Sequence, residues 1–179
     1  MTLATPRAIL VAATLALLPA AARADTPAAG AHAGVNAIYE RMATALAAGD
    51  AAMSRLTYAD DAIFLPAQPV GIDRGTSVHD KMKLGVERLK ADGATFAIKY
   101  RVISRQLVGD GLAIDSGYYR TDMTRPSGEP RTMTRYNKML VVSTRQPDGR
   151  WLITHDASVA GSKEAFDAAT PQPGLKFDS

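Results

Sequence analysis

A strand pattern runs through residues 95–159, and no other feature of the sequence limits the possible folds as strongly. Turn sequences interrupt it at three places: Gly109-Asp110-Gly111, a proline- and glycine-containing stretch at 125–130, and Pro147-Asp148-Gly149. Glycine-containing turns between apolar, β-branched runs are typical of hairpins. We therefore expect four long strands, at 95–107, 112–123, 131–145 and 151–159, that form an antiparallel meander.

Three helices are expected before this meander. Apolar residues at 35–46 recur with the i, i+3, i+4, i+7 spacing of one helix face, and Gly49 follows as a left-handed cap. Asp50 is suited to the N-cap of a second, shorter helix, and a third runs from about residue 76 to 92. A strand at 63–67 lies between them. Helices followed by a meander predict an α+β domain whose helices cover one face of the sheet.

Residues 1–24 have the features of a secretory signal peptide. Arg7 provides a positive start, residues 8–18 are apolar, and small residues precede a cleavage site before Asp25. The apolar run is shorter than the roughly 20 residues that span a bilayer, so no membrane anchor is expected. Residues 25–34 lack periodicity and are interpreted as a flexible leader. The predicted location is periplasmic or secreted.

Composition argues against several partners. Without Arg7 and Arg23 the chain carries 19 basic and 18 acidic residues, a balance that does not favour binding to nucleic acid. There is no cysteine, hence no disulfide. The three histidines, at 32, 79 and 155, show no metal-ligand spacing, so neither a metal nor a cofactor is expected.

Both faces of the predicted sheet carry apolar residues. In the first long strand Ile103 and Leu107 share one face, while Phe96, Ile98 and Val102 share the other. Helices can cover only one of these faces. The exposed face therefore predicts a homodimer formed through the outer side of the sheet.

The order of short motifs resembles a known family. The matching pieces are Ala48-Gly49-Asp50, residues 58–62 (YADDA), Gly109-Asp110-Gly111, Asn137-Lys138 and residues 150–156 (RWLITHD). Together they resemble SnoaL-like and ketosteroid-isomerase-like members of the nuclear transport factor two superfamily, most closely an uncharacterised bacterial secreted subfamily. The resemblance covers residues 35–160. It implies a cone, in which a curved antiparallel sheet wraps a long N-terminal helix with two further helices, and leaves 161–179 as a C-terminal tail.

The resemblance also implies positions for isomerase chemistry, and this sequence leaves them vacant. The family's catalytic base would fall at Pro66 and its helix tyrosine at Met42, while residues 131–145 contain no carboxylate for the protonated acid. Steroid-type isomerisation is therefore not expected. The adjacent Asp60 and Asp61 are interpreted as structural acids at a helix-to-strand junction.

The last strands supply the candidate site. Consecutive strand residues face opposite sides, so His155 and Asp156 cannot readily form a dyad. If the turn at residues 147–149 leaves an even number of loop residues, His155 lies on the same face of the sheet as Tyr136, Lys138, Trp151 and Ile153. We prefer this set as the ligand-binding lining. On the same count Asp156 faces the opposite side, together with Arg135 and Asn137, and an odd number of loop residues would exchange the two sets. The preferred set is equally compatible with a core or dimer-interface patch. Of Tyr118 and Tyr119, at most one can reach a pocket.

Three functions remain open. The first is a periplasmic or secreted small-molecule-binding protein whose pocket takes an apolar or weakly anionic ligand, oriented by Tyr136, Lys138 and His155. The second is a cofactor-independent cyclase, isomerase or dehydratase with His155 as a lone general acid/base. The third is a structural dimerisation module, favoured if the pocket is filled by the protein's own side chains.

Overall fold

A computed structural model describes residues 29–67, 71–126 and 131–178. Its elements, in chain order, are α1 (Ala29–Ala48), a 3₁₀ helix (Ala51–Leu56), β1 (Tyr58–Leu65), β2 (Asp73–Arg74), α2 (Thr76–Ala91), β3 (Thr95–Val108), β4 (Leu112–Arg125), β5 (Arg131–Arg145), β6 (Trp151–Ala160), α3 (Lys163–Ala168) and β7 (Lys176–Asp178). The signal-peptide prediction lies outside these residues. No helix within them is long and apolar enough to cross a membrane.

One mixed sheet contains all seven strands, in the order β2-β1-β6-β5-β4-β3-β7. The expected meander from β3 to β6 is confirmed, because each successive pair in it is antiparallel. β1 joins the other edge of the meander by pairing in parallel with β6. The sheet is curved and does not close, and α1 lies against one side of it, which we call the inner face. This arrangement is the α+β cone that the sequence predicts.

Helix α1 begins earlier than expected. Its inner side buries Val35, Ile38 and Tyr39, as the periodicity predicts, but the helix extends back to Ala29 into the segment interpreted as a flexible leader. Gly34 explains part of the difference, since a Cβ there would lie 2.3 Å from the Trp151 indole. The small residues of this segment therefore allow a strand side chain to pack directly on the helix backbone, a contact without apolar periodicity.

The segment interpreted as a tail is also part of the fold. Ser162 caps α3 by accepting a hydrogen bond from the Ala165 N–H, and Phe166 anchors this helix on the outer face of the sheet. The Arg101 guanidinium lies 4.3 Å from the centre of the Phe166 ring. Beyond α3, β7 pairs with residues 99–101 of β3. A six-residue helix with one aromatic anchor gives no periodic signal, so the sequence did not reveal it.

A buried polar network attaches α1 to β3 and β4. The Arg105 guanidinium makes two 2.8 Å hydrogen bonds with the Asp115 carboxylate and a third, of 2.6 Å, with the Asn36 side chain. The Tyr39 hydroxyl donates to the same carboxylate at 2.7 Å. Since these side chains satisfy one another, burying their charges is tolerated.

Candidate functional site

A cavity of about 280 Å³ lies between the two long helices and the inner face of the sheet. Most of its wall is apolar, with α1 contributing Ile38, Met42 and Leu46 and α2 contributing Met82, Val86 and Leu89. An engineered apolar cavity of about 150 Å³ holds benzene, so this space suits a molecule of roughly two rings. The residues that could orient such a molecule come from β1, β3, β4 and β6.

Asp156 is the partly buried acid in the cavity wall. It lies on β6, its side chain lines the cavity wall, and the Tyr58 hydroxyl donates a 2.5 Å hydrogen bond to it. Burial raises the pKa of Asp156 to about 6, because the charged carboxylate loses its hydration, while the Tyr58 hydrogen bond acts in the opposite direction. A carboxyl group with this pKa exchanges its proton near neutral pH, as a general acid or base must.

Three tyrosines stand around this carboxyl group. Burial, followed by the charge of Asp156, raises the pKa values of Tyr58 and Tyr100 well above the usual range. Burial also raises the pKa of Tyr119, whose hydroxyl donates to the Ser158 hydroxyl at 3.1 Å. All three therefore remain protonated hydrogen-bond donors at neutral pH. Within the part of the chain that the structure describes, no protein group accepts a hydrogen bond from the Tyr100 hydroxyl, which lines the same cavity.

The five side chains preferred as ligand lining are not brought together. Ile153 lines the cavity, but Trp151 is buried beneath α1 and His155 is exposed. Tyr136 packs on the outer face with its ring 5.6 Å from that of Phe166, and Lys138 is exposed. His155 is therefore outside the cavity in which it was expected to act as an acid/base.

A β-bulge accounts for the difference. Val142 of β5 is opposite His155, and the next residue, Ser143, is opposite Ile153, so β6 contains one extra residue at this point. The alternation of faces is thereby shifted by one, and Ile153 and Asp156 point to the same side. The alternative set, with Asp156, Arg135 and Asn137, is the one that faces inward. The turn sequence fixes the register near Trp151 but contains no sign of the bulge.

Some of the other residues discussed from the sequence line the cavity, and others lie outside it. Tyr119 lines the cavity and Tyr118 does not, in agreement with their alternation along β4. Asp60 and Asp61 are exposed, away from the cavity. Met42 does reach the cavity, where the resemblance implied a tyrosine, and the carboxyl group comes from β6 instead of β5. Among the described residues, no group of acidic and histidine side chains could hold a metal ion.

From the sequence, Tyr58 stands out only as part of a quoted motif, and Asp156 only as part of a motif and of the set opposite to the preferred one. They are 98 residues apart in sequence and meet because β1 pairs with β6. The sequence did mark both residues, since Tyr58 belongs to the YADDA piece and Asp156 to the RWLITHD piece. Without the parallel pairing of their strands, nothing in the sequence indicated that these two pieces touch.

Comparison with known proteins gives structural matches only. No family profile and no curated protein matches the sequence. A nuclear transport factor 2-like superfamily protein from Salmonella enterica serovar Typhimurium is similar in structure, with 12% identity and a TM-score of 0.59 over 79% of this chain and 98% of the other. ActVI-ORFA from Streptomyces coelicolor shares 16% identity, with a TM-score of 0.58 over 73% and 97%.

A third structure, a ketosteroid isomerase-like protein from Erwinia carotovora atroseptica, is also 16% identical, with a TM-score of 0.54 over 73% of this chain and 95% of the other. In each case nearly the whole of the other chain is matched. At these identities the matches bear on the fold alone. This chain therefore has the cone fold of the nuclear transport factor two-like superfamily, the superfamily that its sequence motifs resemble.

Proposed function

We propose that the cavity binds a small, largely apolar carbonyl compound and that Asp156 transfers a proton on it without a cofactor. The observation that carries the proposal is the Asp156 carboxyl group, which lies in the wall of an apolar cavity, accepts a hydrogen bond from Tyr58 and has a pKa of about 6. Perturbed acids in apolar pockets are typical of acid/base sites. The reaction class is an isomerisation, cyclisation or dehydration.

The chemistry follows from the groups at the cavity. Above pH 6 the Asp156 carboxylate can remove a proton from a carbon next to a carbonyl group, and the electron pair of that C–H bond moves onto the carbonyl oxygen. Tyr100, as a protonated phenol, can donate a hydrogen bond to this enolate oxygen. Return of the proton from Asp156 to another atom completes an isomerisation. Tyr58 keeps the carboxylate oriented throughout.

Two observations support a ligand site over a purely structural module. The cavity is open space of about 280 Å³ and is not filled by side chains of the described residues. The similar solved structures include a protein described as ketosteroid isomerase-like. Binding without turnover is the competing function, and the experiment below separates the two.

The proposal is tested by proton exchange in D₂O. Acetophenone, 2-tetralone and cyclohexanone are incubated with the protein at pD 7.5, and loss of the α-proton signal is followed by NMR. We expect exchange with at least one ketone, slowed about 10²–10⁴-fold in Asp156→Asn. Asp61→Asn, an exposed acid on neighbouring β1, is the matched control and should exchange at the wild-type rate.

The outcomes separate the alternatives. If wild-type protein binds these ketones, as observed by ligand-detected NMR, but does not exchange their protons, the protein is a binding protein. Equal exchange by wild type and Asp156→Asn would remove Asp156 from the mechanism. No binding and no exchange with any of the three would contradict the proposal as a whole.

The location and assembly belong to the same proposal. The mature protein begins near residue 25 after export to the periplasm or beyond, and two copies associate through the outer face of the sheet. Support for the second point comes from Leu140 and Val159, which are 49% and 58% exposed on β5 and β6. Helix α3 covers only the part of this face near Arg101 and Tyr136.

Native mass spectrometry of residues 25–179 at micromolar concentration tests the dimer. Wild type should be dimeric, and Val159→Lys should be largely monomeric because the new charge would be buried at the contact. Val108→Lys is the matched control, because Val108 is 56% exposed but lies at the β3–β4 turn. A monomeric wild type contradicts the proposal.

A further inference from the structure

The cavity continues into a second, wider chamber. This outer chamber, of about 750 Å³, shares Phe64, Phe96, Tyr119 and Thr121 with the inner cavity. It extends along β4 and β5 toward Met123 and Met133. A ligand bound near Asp156 can therefore extend outward without leaving the protein.

Arg135 stands where the two chambers meet. It is directly opposite Thr121 in the β4–β5 pairing, and Thr121 lines both spaces. The Cβ atoms of such cross-strand partners are about 5 Å apart and point to the same face. Arg135 is the only charged residue among the described residues that line the outer chamber.

The guanidinium of Arg135 has no carboxylate partner in the described ranges, where its recorded contact is the Met133 sulfur at 3.8 Å. Its neighbour Arg120, on the outer face, is bonded to Asp122 at 2.9 Å, and Arg105 is bonded to Asp115. Arginine presents a planar fork of donors that matches a carboxylate. An unpaired guanidinium in a chamber lined by apolar and neutral polar side chains is thus suited to an anionic group of a ligand.

We propose that the ligand is an amphipathic carboxylate, whose apolar body occupies the inner cavity and whose carboxylate is bound by Arg135 in the outer chamber. This inference rests on the proposed function, since it concerns the same ligand.

The geometry also fixes the direction of the ligand. Asp156 is paired with Val141, and Arg135 lies six residues before Val141 on β5, about 20 Å along the strand at roughly 3.4 Å per residue. The anionic end is consequently held far from the acid that moves the proton. The two negative charges do not repel each other strongly at this separation, and the apolar end with its reacting carbon is directed inward.

Matched pairs of ligands test this inference. The probes are ω-phenylalkanoic acids with four to ten methylene groups and the corresponding primary amides, titrated by calorimetry at pH 7.5 in 20 mM and 300 mM NaCl. In wild type we expect the best acid to bind about 5- to 20-fold more tightly than its amide, with the preference reduced at high salt.

Two variants identify the group that is responsible. Arg135→Gln should bind acid and amide within about twofold of each other and leave the affinity for the amide unchanged. Arg145→Gln is the matched control, because it removes the same exposed charge from the far end of the same strand. It should keep the wild-type preference.

Each outcome supports or overturns the inference. Equal binding of acid and amide by wild type overturns the carboxylate subsite but leaves the apolar cavity and its acid intact. A preference that survives in Arg135→Gln overturns the role of Arg135. If neither acids nor amides bind at any length, both this inference and the proposed ligand cavity fail. If Arg135→Gln loses the preference for acid over amide and Arg145→Gln keeps it, the inference is supported.

Discussion

Two tyrosine–aspartate pairs in this protein invite comparison, one of them buried and the other partly buried. Tyr39 donates to Asp115 at 2.7 Å, and Tyr58 donates to Asp156 at 2.5 Å. Asp115 also receives two hydrogen bonds from Arg105, whereas no cation is bonded to Asp156 among the described residues. In the first pair Arg105 neutralises the Asp115 carboxylate. In the second no cation in the described ranges does so, and the pKa of Asp156 is raised. The first holds α1 on the sheet, and the second contains the acid that we propose transfers a proton.

Removing the cation from the first pair should have the largest effect. Arg105→Met leaves the Asp115 carboxylate buried without its positive partner, and we expect a loss of about 3–5 kcal/mol in the free energy of unfolding at pH 7.5. Urea denaturation measures this loss. Arg145→Met, which removes an exposed arginine from β5, should change stability by less than about 0.5 kcal/mol. Similar losses in the two variants would contradict the structural role of the first pair.

The missing cation at the second pair should be visible in the pH dependence of stability. The Asp156 carboxyl has a folded pKa of about 6, above its ordinary value of 3.8, so between these values the folded state binds more protons than the unfolded state. The contribution of Asp156 is therefore fully favourable below about pH 4 and is lost as the pH rises through 6. We expect a loss of about 3 kcal/mol across this window.

Asp156→Asn isolates this contribution. Urea denaturation from pH 4 to 7.5 measures the unfolding free energy of the variant and of wild type. As the pH rises, wild type should lose about 3 kcal/mol relative to the variant. A difference that does not vary with pH would mean that Asp156 is ionised with its usual pKa in the folded protein.

The smallest effects should come from the two tyrosine hydroxyls. Tyr39→Phe should cost about 1–2 kcal/mol of stability, because Asp115 loses one buried hydrogen bond but keeps its arginine.

Tyr58→Phe removes the group that lowers the pKa of Asp156, and the pH midpoint of proton exchange should move upward, by about one unit.

The exchange rate of the test ketone, measured against pH in both variants, distinguishes them. Tyr39→Phe should keep the wild-type midpoint, since Tyr39 is bonded to the other aspartate. An unchanged midpoint in Tyr58→Phe would show that its hydrogen bond does not tune the acid.

Most of the fold was predictable from the sequence because its signals are local. The turns at Gly109-Asp110-Gly111 and Pro147-Asp148-Gly149 bound the strands, and the stripe from Val35 to Leu46 fixes the inner side of α1. The start of α1 and the α3–β7 segment were missed, because single packing contacts hold them and no repeated pattern marks them.

The site was less predictable than the fold because it depends on one inserted residue. The bulge opposite Val142 and Ser143 determines whether His155 or Asp156 faces the cavity, and a shift of one position reverses every side chain of a strand. The sequence supplied both alternatives and no means of choosing between them. The partner tyrosine depends on the pairing of β1 with β6, which no local pattern encodes.

That parallel pairing also sets the order in which the site can be assembled. β1 is made early and β6 is the last long strand, so the contact between Tyr58 and Asp156 closes a loop of nearly a hundred residues. Loops of this length close late in folding, after local hairpins such as β3–β4 and β4–β5 have formed. A chain that stops before residue 156 contains the tyrosines but no acid among them. The proposed proton transfer should therefore appear only when the native sheet is complete, and it should be lost as soon as β6 detaches.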